Sequence, residues 1–147
     1  MIQEFIESKV VLMTSNSESY TFGHSEKDWQ NINADSQILP CVYLDMPVQY
    51  KTKTFASGYK EKTYICTALF LFRTDLGNKP SEQYDIFKKA ELAQFEFELL
   101  IDADNLNVKE WTVGTCTQVQ HLFDTDVSGV IMPFEITFRN TNSVCLP

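Results

Sequence analysis

The sequence predicts an α+β domain: a mainly antiparallel four-stranded sheet with a long projecting β-hairpin, packed by one long helix and a short N-terminal helix. Three observations predict it. Two strand-like runs within residues 41–72 are joined by the turn Ala56-Ser57-Gly58, residues 82–101 repeat apolar side chains at helical spacing, and residues 130–138 alternate apolar with polar. The 147 residues suffice for one hydrophobic core and leave little room for a second, so residues 1–147 read as a single domain.

Ile2, Phe5, Ile6, Val10 and Leu12 give residues 1–13 a weak helical spacing, read as a short helix that hands over to a strand. Residues 14–37 are polar, contain a Phe22-Gly23 turn, and read as a long loop pinned by Tyr20, Phe22 and Trp29. Ile38 to Leu44 is β-rich. Pro40 puts this strand at an edge or delays its start to Cys41, because proline has no N–H to give a ladder. Val48 to Phe55 alternates, with Val48, Tyr50, Thr52 and Thr54 on one side.

Lys62 to Arg73 is the strongest strand. Tyr64, Cys66, Ala68, Phe70 and Phe72 share one face, and Ile65, Thr67, Leu69 and Leu71 the other. Both faces are mostly apolar, which predicts a central strand covered on two sides. Pro80-Ser81-Glu82 reads as a helix start with Ser81 as a candidate N-cap. Ile86, Phe87, Ala90, Ala93, Phe97, Leu100 and Ile101 then form a core stripe, and Leu92, Phe95 and Leu99 widen it into a second face. Val108 to Phe123, rich in Val and Thr, reads as a strand. In the last strand Val130, Met132, Phe134, Ile136 and Phe138 point inward, and Pro133 places it near an edge or at a bulge.

Twelve Lys and Arg against twenty Asp and Glu give a net charge of −8. That balance argues against nucleic-acid binding, which needs cations facing phosphates. No apolar run approaches the length of a membrane helix, and the N-terminus lacks the basic and apolar regions of a signal peptide. Cys41, Cys66, Cys116 and Cys145 contain no CxxC pair and read as reduced thiols, the first two as core fillers. Five glycines form no phosphate loop, and no serine sits in a nucleophile elbow. His24 and His121 read as surface or packed residues.

Asp124 to Glu135 matches an EF-hand loop in spacing, but its flanks alternate or are β-branched where helices are required, so an acidic turn is the expectation. The sequence thus offers no catalytic residue, no metal ligand and no cofactor site, and an enzyme is not expected.

Two features remain as interaction candidates. Tyr50, Lys51, Lys53, Phe55, Tyr59, Lys60 and Lys62 concentrate four of the twelve basic residues at the hairpin. They read either as lysines protecting an edge or as an arm that docks on an acidic partner, such as a neighbouring copy. Leu92, Phe95 and Leu99 form the helix's second face. Glu82, Asp85, Lys88, Lys89, Glu91, Gln94, Glu96 and Glu98 read as a solvated face, with Glu96 and Glu98 lining an interface only where a partner buries the second apolar flank.

The order of elements resembles the tail terminator and head–tail joining proteins of long-tailed bacteriophages, in the variants found in Bacteroidetes phages and prophages. The carriers are Phe22-Gly23 with Asp28-Trp29, Pro40 to Pro47, the hairpin into Tyr64-Ile65-Cys66-Thr67-Ala68-Leu69-Phe70, the helix Glu82 to Ile101, and Gly129 to Phe138 with the tail Asn140 to Cys145.

The resemblance implies a structural protein without catalytic residues. It implies a homo-oligomeric ring, commonly a hexamer, that caps the tail tube and meets the connector. Such a protein sits in the virion, and in the bacterial host cytoplasm during assembly. The N-terminal helix here is shorter than the family pattern. The alternative is a host-encoded small α+β binding module with its ligand in the sheet–helix groove.

Overall fold

The structure is a computed structural model that describes residues 2–28, 39–74, 77, 79–120 and 127–139. Its elements run α1 (Ile2–Val10), a 3₁₀ turn (Ser15–Ser17), β1 (Thr21–Gly23), β2 (Cys41–Leu44), β3 (Gln49–Thr54), β4 (Lys60–Arg73), α2 (Pro80–Asp102), β5 (Val108–Val113), β6 (Thr117–Val119) and β7 (Val127–Phe138). The fold is α+β, but the sheet has seven strands and is mixed. This corrects the four-stranded antiparallel sheet expected from the sequence.

The physical reason lies in the broken rows. β2 and β3 lie end to end along one edge of β4, separated at Asp45 to Val48, where Pro47 has no N–H to donate. Similarly, β5 and β6 lie end to end along the free edge of β7, separated at Gly114 to Cys116. The long strands β4 and β7 pair antiparallel in the middle, Thr63 opposite Thr137 and Arg73 opposite Val127. β1 adds the parallel pairing, Thr21–Gly23 against Cys41–Tyr43, from a stretch that reads as loop.

Pro133 sits inside the sheet rather than at an edge. A strand residue points its N and O to the same side, and the Pro133 carbonyl accepts from Gly114 N–H at 2.8 Å. The missing N–H therefore faces the gap between β5 and β6, where no ladder bond is lost.

One face of the sheet carries both helices. Ile2, Ile6 and Val10 of α1, and Ala90, Ala93, Phe97 and Ile101 of α2, pack on the even-numbered side chains of β4 and β7. Ala90 and Ala93 let the helix approach closely, and the Phe97 ring meets Phe70 and Phe134 edge-on at 5.4 and 6.2 Å. Helix α2 starts at Pro80 with Lys79 as its cap residue and no capping side chain, so Ser81 is not the N-cap. α1 leads into the 3₁₀ turn rather than a strand. Its backbone N–H groups at Thr14 and Ser15 donate to Glu96 Oε1 of α2 at 2.9 and 3.0 Å.

The other face is covered only over part of its length. Cys41, Tyr43, Leu69, Leu71 and Val127 form a second buried cluster, while Ile65 remains 38% exposed. Two-sided burial of β4 thus holds toward its C-terminal end and fails toward the hairpin. Ser25 and Asp28 lock the segment beside this cluster. Asp28 accepts from the N–H groups of His24 and Ser25, its own N–H donates to Ser25 Oγ, and the Tyr43 hydroxyl donates to the Ser25 carbonyl. Burial pushes the Cys41 thiol up to about 11 and the Cys66 thiol up to about 12, as suits core fillers.

Candidate functional site

The arm is the end of the β3–β4 hairpin. β7 stops pairing at Thr63, so the pairs Thr52–Lys62, Lys53–Glu61 and Thr54–Lys60, with the turn beyond them, stand past the body of the sheet. The turn is closed by Phe55 N–H to the Tyr59 carbonyl (2.8 Å) and Gly58 N–H to the Phe55 carbonyl (2.9 Å). Gly58 has φ +83°, a left-handed conformation that other residues take at a cost. All six residues of β3 are exposed. Among the described residues its only strand partner is β4.

Register divides the five arm residues within the strands between two faces, while Phe55 and Tyr59 belong to the turn. Tyr50, Lys60 and Lys62 share the helix-bearing side with Tyr64, whereas Lys51 and Lys53 share the opposite side with Glu61. On the first side an aromatic row anchors the arm to the body: Phe5 to Phe138 at 4.8 Å, Phe138 to Tyr64 at 5.7 Å, Tyr64 to Tyr50 at 5.7 Å. The Lys62 ammonium caps this row 5.0 Å from the Tyr50 ring. At the tip, Phe55 and Tyr59 lie 5.5 Å apart, with Lys53 Nζ 4.9 Å from the Phe55 ring.

Sequence reasoning missed Lys109. From the start of β5 it reaches the arm, donates to the buried Glu61 carboxylate at 2.5 Å and lies 5.8 Å from the Phe55 ring. The hydrogen bond to Glu61 holds the Lys109 ammonium above its ordinary value. The arm's one carboxylate is thereby neutralised, and its four lysines keep a positive surface.

The second candidate, Leu92, Phe95 and Leu99, lies together on the side of α2 opposite its buried stripe. These side chains are 49%, 57% and 52% exposed. From Ala90 to Asp102 the helix carries Glu91, Glu96, Glu98 and Asp102 and no lysine or arginine. Each of these carboxylates accepts from a neutral donor: Glu91 from Gln118, Glu96 from Thr14 and Ser15, Glu98 from Gln94, and Asp102 from the Trp111 indole. The donors hold the carboxylates in place and bring no counter-charge. Lys88 and Lys89 end one turn before Leu92, and the acidic stretch that follows them is the signal in the sequence that marks this rim.

No three His, Cys, Asp or Glu side chains converge as metal ligands among the described residues. The EF-hand-like spacing runs into β7, which holds 127–138 as extended strand; Asp124, Asp126, His121 and Cys145 lie outside the described residues. No described helix is long and apolar enough to cross a membrane. The sheet–helix interface that the alternative reading would use for a ligand is filled by the core. A shallow hollow of about 320 Å³ lies on the opposite face instead, lined by Ile65, Thr67, Val113 and Pro133 among others. No protein-family model matches the chain, and no curated protein matches it.

Proposed function

We propose that this chain is a structural subunit of a phage or prophage neck: a protein that assembles into a ring, commonly of six copies, at the head–tail junction. There it caps the tail tube or joins it to the connector, and it performs no catalysis. The observation that carries this reading is a pair of surfaces left exposed among the described residues: the lysine-bearing arm and the half-exposed Leu92–Phe95–Leu99 face. An isolated globular protein has little use for three neighbouring large apolar side chains on the solvent side of its longest helix. The order short helix, hairpin, long helix, closing strands also agrees with the pattern that the sequence resembles. Six copies at −8 each form an acidic assembly that DNA passes without adhering.

Light scattering coupled to size exclusion, with negative-stain microscopy of the same fractions, tests the reading. Annular particles of about six copies are expected. A protein that stays monomeric at high concentration, alone and with tail-tube protein, overturns it. The hollow beside Ile65 favours a second reading, a host-encoded binding module. Melting shifts across a metabolite panel, lost in Ile65→Glu, would support that one.

A further inference from the structure

We infer, resting on the ring reading above, that the arm of one copy seats on the outward face of α2 of the next copy, joining lysines to the carboxylate rim and the Phe55 and Tyr59 rings to Leu92, Phe95 and Leu99. The contact is intermolecular by construction. α2 lies on the sheet through Ala90, Ala93, Phe97 and Ile101, and the arm is a continuation of that sheet. The outward face therefore points away from the arm of its own chain.

The two surfaces match in kind. Each combines apolar side chains with a predominance of one charge, lysines on the arm and carboxylates along Glu91 to Asp102, and the predominant signs are opposite. Lys53 and Lys62 sit over the Phe55 and Tyr50 rings, Lys51 and Lys60 add charge on the arm's two faces, and its Glu61 is held by Lys109. Glu91, Glu96, Glu98 and Asp102 flank the helix's apolar side chains, and the exposed Lys88 one turn before Leu92 is the cation that borders this face at its N-terminal end. Opposed potentials of this sort steer encounter and fix register.

The rival way to join copies is strand addition at the outer edge of β3. The lysines on that strand discourage it, as charged edge residues do. A contact between two different patches is heterologous, and it closes into a ring when the rotation between copies allows.

Zero-length carbodiimide crosslinking on a mixture of unlabelled and ¹⁵N-labelled full-length protein tests the contact directly. Expected are mixed-isotope crosslinks from the four arm lysines to Glu91, Glu98 or Asp102. Charge exchange provides the second arm. Lys60→Glu with Lys62→Glu, and Glu91→Lys with Glu98→Lys, are each expected to yield monomers with an unchanged circular dichroism spectrum. Mixing the two variants is expected to restore rings of alternating subunits. Rings that survive in both variants, or rings whose crosslinks fall elsewhere, overturn the docking mode and leave the ring standing. A wild-type protein that never assembles overturns both.

Discussion

Glu61 and Lys109, 48 positions apart in the chain, form a 2.5 Å ion pair at the root of the arm. The Glu61 side chain is only 8% exposed, and Lys109 is its ion-pair partner among the described residues. Removing one partner of such a pair harms more than removing both. Lys109→Met is expected to lower the urea midpoint, and adding Glu61→Gln is expected to recover most of the loss. Equal losses in the single and double variants would show that the pair is not what holds the arm's root.

Gly129 is required by close approach. A Cβ built there falls 1.8 Å from the Phe70 carbonyl oxygen, which belongs to the backbone of the central strand and cannot step aside. Gly129→Ala is expected to cost about 3 kcal/mol or more in denaturant unfolding, as severe overpacking does. Gly58→Ala is the control. Its site is open and only the positive φ opposes it, so a loss of about 1–2 kcal/mol is expected.

Phe97 and Phe95 separate stability from assembly. Phe97 is fully buried against Phe70 and Phe134, and Phe97→Ala is expected to cost about 3–5 kcal/mol. Phe95 is 57% exposed, so Phe95→Ser is expected to change monomer stability by within about 0.5 kcal/mol while abolishing rings in light scattering. A large stability loss in Phe95→Ser would place that side chain in the subunit's own packing.

The acid limb of stability is set in part by Asp28 and Asp104. Burial pushes each carboxyl up. For Asp28, the bonds from His24 and Ser25 outweigh that; for Asp104, the bonds from Lys9 and Asn107 do. Both are held below the ordinary 3.8. A folded pKa below the unfolded one stabilises above the unfolded value. That stabilisation disappears as pH falls through 3.8 toward the folded value. Urea midpoints from pH 7 to pH 2 are expected to fall more steeply in wild type than in Asp28→Asn/Asp104→Asn, with the two curves converging at the acid end. Parallel curves would remove these carboxylates from the account.

What the sequence reveals divides by range. α2, β4 and β7 are legible because their side chains alternate or recur within one element, and helical period alone puts Phe97 in the core stripe and Phe95 on the second face, whose exposure only the fold reveals. β1 is not legible: Thr21-Phe22-Gly23 has no pattern, and only Cys41–Tyr43, twenty residues later, makes it a strand. The breaks in the β2/β3 and β5/β6 rows are a matter of pairing, so they emerge only against β4 and β7. Of the candidate site, the arm residues and the helix's second face were visible. Their division between two faces needed the β3–β4 register, and Lys109 needed the tertiary path that brings β5 beside the hairpin.

β4 is a single 14-residue strand that begins in the arm and ends under the buried core, a span of about 45 Å at the usual rise per residue. The arm is therefore one end of a continuous beam, braced at its side by Lys109 of β5 and seated at its other end in the core. A neighbour that grips the tip receives the orientation of the whole subunit, and strands carry a right-handed twist along their length. In a ring joined by such arms, the number of copies is a matter of angle: the twist accumulated along β4 sets the step from one subunit to the next, and the circumference counts those steps.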